Sequence, residues 1–212
     1  MKKIFIVFVI VFLLTTVSSL FRKQDNTTTS SPPPIKQIDK QTQQDEFLKL
    51  YRIALSGIKV SNLMFYTTHN LLNKASRSSV YDALKDSEAT QEKMTVAFTT
   101  LSAGIDKIHP SLKEYRSDIA QSFDELAGVF AHRQQEAKYL ADYINTGNLE
   151  SYRKTKTEIE GTGETMANAV SRLVLGIGKN LGMDTKALDE EYQKISVEVK
   201  QDFENRFGKT IK

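Results

Sequence analysis

AKYLADYINTGNLESYRKTK, Ala137 to Lys156, carries a helical pattern up to Thr146-Gly147-Asn148, breaks, and restarts it at once. Before the break Ala137, Leu140 and Ile144 recur at three- and four-residue steps, and Leu149 and Tyr152 do the same after it. That spacing places apolar residues on one side of an α-helix. Gly147 can take the left-handed backbone that ends a helix, and Asn148 can accept an orphan N–H of the next one. A connection this short makes the two helices antiparallel neighbours. The stretch predicts a helical hairpin, and the same period on both sides extends the hairpin into a bundle.

Upstream, Phe47, Leu50/Tyr51, Ala54, Ile58, Phe65 and Leu72 form a first run. A second is close to a heptad, with Leu84, Gln91, Phe98 and Ile105 on one track and Met94, Leu101 and Ile108 on the other. Such tracks make a coiled-coil-like stripe that other helices must cover. The third run is Leu112 to Ile144, the fourth Leu149, Tyr152, Ile159, Met166, Val170, Leu173 and Ile177, and the fifth Leu188, Tyr192, Ile195, Val199 and Phe203. Between them, Ser79 with Asp82 and Ser111 with Glu114 have the spacing of capping boxes, Pro110 stops a helix, and Gly182-Met183-Asp184 offers a left-handed stop and a cap. Four prolines and ten glycines in 212 residues are too few for a protein built on tight β-turns. The expected fold is all-α, an antiparallel bundle of four or five long helices over residues 46–208, with 209–212 as a tail.

The front of the chain has a different chemistry. MKKIFIVFVIVFLLTTVSSLF, residues 1–21, sets two lysines before an uncharged run from Ile4 to Phe21. A positive start and an apolar middle address a chain to the export machinery, with Lys2 and Lys3 on the cytoplasmic side. The apolar part has signal-peptide length and Val17-Ser18-Ser19 offers cleavage after Ser19, while the whole run reaches the lower limit of about 17 residues for a bilayer span. The segment is therefore either a signal peptide, giving a secreted protein, or a retained transmembrane anchor contacting the cytoplasmic membrane through residues 4–21. Residues 22–45, rich in Thr, Ser and Gln with Pro32-Pro33-Pro34, read as a flexible linker that cannot bury enough apolar surface to fold.

Charge narrows the partners. The formal net charge is +3, but six basic and only two acidic residues precede Asp45, so the remainder carries one net negative charge. Nucleic-acid binding needs a net basic surface, and it is not expected here. The absence of cysteine removes disulfides, thiolate metal sites and a cysteine nucleophile.

No residue pattern forms a coherent catalytic set. His69 falls near the first stripe as a boundary histidine, Asp106 and His109 share a helix end, and His132 and Glu136 stand one turn apart as a surface pair. There is no H-E-x-x-H or repeated E-x-x-H motif, and Gly161-Thr162-Gly163 and Gly176-Ile177-Gly178 lack the P-loop spacing. No cofactor, metal ligand or catalytic residue is assigned. The helix-breaking glycines point to close packing or a kink, or alternatively to Leu173–Leu181 as a movable or membrane-seeking segment. Polar residues on predicted seams are the remaining signal. Gln91, Arg133 and Lys156 either rest at the boundary with their heads in solvent or line a cleft for an anionic ligand or a partner.

The order of a tyrosine-bearing helix, Thr146-Gly147-Asn148 and Leu149-Glu150-Ser151-Tyr152 is similar to the helix break in the extracytoplasmic four-helix sensor modules of chemoreceptors and sensor kinases. The resemblance covers about twenty residues and implies a helical fold outside the cell membrane. The leading expectation is a non-enzymatic interaction module at the cell envelope, binding a protein or other envelope component through a helical face. The alternative is a stand-alone ligand-binding or sensor-like bundle, and the third an enzyme built on an unrecognised constellation around His69, His109 or His132.

Overall fold

The computed structural model describes residues 39–208 apart from 73 and 109, and the regular elements among them are all helical. They are α1 (Lys40–Leu71), α2 (Arg77–Ile108), α3 (Arg116–Thr146), α4 (Leu149–Ile159), α5 (Thr162–Ser171) and α6 (Thr185–Phe207). A 3₁₀ turn, Pro110–Tyr115, leads into α3, and a π-helical segment, Arg172–Gly178, continues α5. The segment 1–21, with its cleavage site at Ser19, lies outside the described residues, as do the first part of the linker and the tail at 209–212. No helix among the described residues is long and apolar enough to cross a membrane.

Contacts between named residues fix how the rods run. Gln43 near the start of α1 donates to the Ser111 carbonyl at 3.0 Å, and Arg77 at the start of α2 donates to the Asn145 carbonyl at 2.8 Å, so α1–α2 and α2–α3 are antiparallel. Glu158 on α4 reaches His132 on α3, and Arg172 reaches Glu125, so α4, α5 and the π segment form one rod descending along α3. The last rod returns upward. Tyr51 donates to the Leu188 carbonyl at 2.6 Å, Lys59 meets Glu198 at 2.8 Å and Tyr66 packs edge-on to Phe203 at 5.2 Å, which makes α1 and α6 parallel. With five rods alternating in direction, the first and last must point the same way. Asp39, Ser111 and Leu181 thus share a near end, and Leu71, Arg77, Asn145 and Phe207 a far end.

The heptad seam is the heart of the core. Leu84, Gln91, Met94, Phe98, Leu101 and Ile105 are all buried, and Phe98 stacks on Phe123 at 5.2 Å and meets Phe130 edge-on at 5.0 Å. Each of the apolar side chains among them contributes about 1.5–3 kcal/mol on burial. A second, smaller cluster of Leu71, Val80, Leu84, Ala137, Leu140 and Ala141 closes the far end. Gly57 lets α1 approach this core, since a Cβ there would lie 2.7 Å from Phe98 Cε2 and 2.9 Å from Met94 Cε.

Local chemistry explains where helices stop and where the sequence reading needs correction. Gly147 has φ 77° and Asn148 caps α4 by accepting from Glu150 N at 3.0 Å, as the hairpin reading requires. Gly182 is likewise left-handed, and Asp184 accepts from Lys186 and Ala187. Asp39 accepts from Gln41 N at 3.2 Å and starts α1 there, so residues 40–45, assigned above to the linker, are helical. The cap of α2 is Ser76 rather than Ser79, because the Ser76 hydroxyl accepts from Ser79 N. Ser111 forms no capping box with Glu114: its hydroxyl is buried without a partner, and α3 begins at Arg116 after an irregular Leu112. The fourth run breaks at Glu160-Gly161, where Gly161 has φ 76°. Leu173–Leu181 is core rather than a membrane-seeking segment, with Leu173, Val174, Ile177 and Leu181 buried and Gly178 pressed on Leu188 and Phe47.

Candidate functional site

Two of the three seam residues come together. On α2, the buried Gln91 accepts from the Ser61 hydroxyl at 2.9 Å and donates to the Ser61 carbonyl at 3.2 Å. On α3, the buried Arg133 donates to the same hydroxyl at 2.8 Å and to Asn62 Oδ1 at 2.7 Å, with its guanidinium 4.8 Å from the Phe65 ring centre. One serine of α1 thereby ties three helices together. Lys156 lies apart, exposed on α4 with its ammonium 5.8 Å from the Tyr152 ring centre.

The Arg133 environment is electrostatically unusual. A buried charge is normally met by an opposite one. Here both direct acceptors are neutral, the Nε has no partner, and burial pushes the pKa down to about 10 against the opposing pull of Glu136 and Tyr192. Glu136, also buried, spends its carboxylate on His69 Nε2 at 3.2 Å. Burial opposes protonation of His69, but Glu136 and the Phe65 carbonyl, accepting from Nδ1 at 2.9 Å, outweigh it and raise the pKa. His69 is thus the boundary histidine expected. Glu136 is not the surface partner of His132, which pairs instead with Glu158 at 2.9 Å. Asp106 meets Arg116 rather than a metal partner, and His109 lies outside the described residues. No group of three or more metal-ligating side chains is gathered among the described residues.

The open surface offers two further features along α3. At the far end, Leu149 is 63% and Tyr152 42% exposed, although both continue the apolar pattern of the fourth run. Tyr152 lies 5.0 Å from the Tyr143 ring, and Lys154 stands 5.6 Å over Tyr139. Nearby, Arg77, Tyr81, Ile144 and Asn145 border a cavity of about 400 Å³. Lower down, Glu125, Thr165, Asn168, Ser171, Arg172 and Leu175 line an open groove of about 500 Å³. Arg172 and Glu125, both in its lining, form a two-bond ion pair, 2.7 and 2.9 Å. A smaller hollow of about 180 Å³ adjoins it through Glu125 and Thr165.

Sequence reasoning missed Ser61, Glu125 and Arg172. Ser61 fills the stripe position between Ile58 and Phe65 of α1, where a serine is small enough to pass as a gap in the apolar run, and the pair 125/172 joins helices through positions that look like ordinary solvated charge. Compared with known proteins, the chain matches no family model, no curated protein and no solved structure.

Proposed function

We propose that this protein is an exported, non-enzymatic interaction module, held at the outer face of the cytoplasmic membrane by residues 4–21 or released after Ser19, that binds an envelope partner through the far end of its bundle. The observation that carries the reading is the exposed patch of Leu149 and Tyr152 beside Tyr143, Tyr139, Lys154 and Lys156. Leu149 belongs to neither hydrophobic core cluster. Tyrosine is enriched where proteins bind one another, and Lys154 and Lys156 stand around it as a polar rim. The described chain enters the bundle at Asp39, at the near end, so a tether there presents the patch outward.

A photocrosslinking residue placed at Tyr152 in living cells tests this. The expected outcome is a discrete covalent adduct with an envelope protein, lost in a Leu149→Asp variant whose helicity is unchanged. Absence of a discrete adduct, or its survival in Leu149→Asp, counts against the reading. A second reading, a ligand-binding bundle, is favoured by the cavity beside Arg172 rather than by Arg133 or Lys156.

A further inference from the structure

We propose that the cavity between α3 and the rod of α5 and the π segment is a binding site for an uncharged saccharide. This deepens the ligand-binding reading and rests on it. Elsewhere in these helices, Thr95, Thr100, Ser122, Thr146, Thr155 and Thr162 turn their hydroxyls back onto carbonyls three or four residues earlier, while others, such as Ser56, Ser87 and Thr90, make no side-chain bond among the described residues. Such back-bonding occupies the group locally. Thr165, Asn168 and Ser171 line the cavity and make no side-chain bond among the described residues. Two hydroxyls and an amide, donors and acceptors together, are left facing open space.

The remaining wall is matched to a neutral ligand. Arg172 and Glu125 satisfy one another in bidentate fashion, so a charged ligand would have to compete with an ion pair already formed. Leu175, 57% exposed, supplies an apolar edge. A sugar ring offers hydroxyls around its rim and C–H groups on its faces, which suits the polar trio and Leu175 at once. The volume, about 500 Å³, falls within the ~300–1,000 Å³ range of small-molecule sites.

Two glycines add an independent argument. A glycine inside a helix costs about 1 kcal/mol relative to alanine. At Gly57 and Gly178 neighbours closer than 3 Å explain it, but a Cβ at Gly128 would meet nothing within 4 Å, and one at Gly176 only Arg172 Cγ at 3.7 Å. Gly176 lines the larger cavity and Gly128 the adjoining hollow. Gly163 also stands in open space and lines neither hollow, so what sets Gly128 and Gly176 apart is their place in the two linings.

The test is to apply the full-length chain to an array of immobilised neutral and charged oligosaccharides and to a matched array of short peptides. Asn168→Ala and Gly176→Leu variants of unchanged helicity run in parallel, with affinities of hits measured by calorimetry. The expected result is binding to neutral oligosaccharides, weakened about fivefold to tenfold by Asn168→Ala, the loss expected of one hydrogen bond, and blocked by Gly176→Leu. Binding to peptides or charged sugars alone, blocked by Gly176→Leu, overturns the saccharide assignment and leaves the ligand-binding reading standing. No binding on either array overturns both, and saccharide binding indifferent to both variants overturns the location.

Discussion

At the scale of single residues, the Ser61 hydroxyl is the meeting point of the buried polar network, and His69 is its titratable neighbour. The raised pKa of His69 means that its ion pair with Glu136 favours the folded state most where the imidazole is charged in both states, below about pH 6.5. That contribution disappears as pH rises through the higher folded value. A His69→Gln variant is therefore expected to lose most stability relative to the parent at mildly acidic pH and to approach it once pH passes the raised folded value, in urea midpoints measured across a pH series. The difference will be modest, because the imidazole is 35% exposed. A gap that does not change with pH would show that the pair is not charge-dependent. Arg133 and Gln91 were legible in the sequence because polar residues on an apolar track stand out. Their common partner, Ser61, sits on the α1 track between Ile58 and Phe65 but was passed over, since a small serine in an apolar run gives a weaker signal than a long polar side chain.

Among the elements, glycine marks two different kinds of helix surface. Gly57→Ala is expected to destabilise by about 1–3 kcal/mol, because the new methyl group meets Phe98 and Met94 and overpacks the α1–α2 contact. Gly128→Ala, in open space on α3, is expected to stabilise by about 0.5–1 kcal/mol through helix propensity alone. Thermal unfolding of the two variants side by side decides this, and equal shifts in the same direction would refute it. The turn at Gly147-Asn148 could be read from sequence because its chemistry is contained in adjacent residues. The glycines at Gly161 and Gly163 signalled a kink, but a full break between two helices was not read, since Ile159, Met166 and Val170 keep helical spacing across it. The cap of α2 was misplaced because Ser76, Ser78 and Ser79 offer competing hydroxyls, and only the folded chain chooses between them. The cavity at Arg172 was hidden for a further reason: Glu125 and Arg172 lie 47 positions apart, and their pairing depends on how the two rods align.

For the whole molecule, the all-helical bundle was legible because the second run holds its period over four turns and more, long enough to fix both the helix and the face it buries. The direction of the last rod was not, as it depends on how many times the chain reverses. The parallel course of α1 and α6 has a mechanical consequence. α1, with 32 residues, is about 48 Å long, and residues 39 and 208 sit at opposite ends of the stack. Tension applied between them runs along the α1–α6 seam and loads Tyr51–Leu188, Lys59–Glu198 and Tyr66–Phe203 together, in shear. Pulling instead from Asp39 and Gly182, both at the near end, peels the rods apart one contact at a time. Single-molecule stretching should record the higher rupture force for the 39–208 geometry, and equal forces would mean that the seam does not carry the load. A body tethered at one end and gripped at the other would then behave as a stiff strut, able to hold its far surface at a fixed reach against a pull.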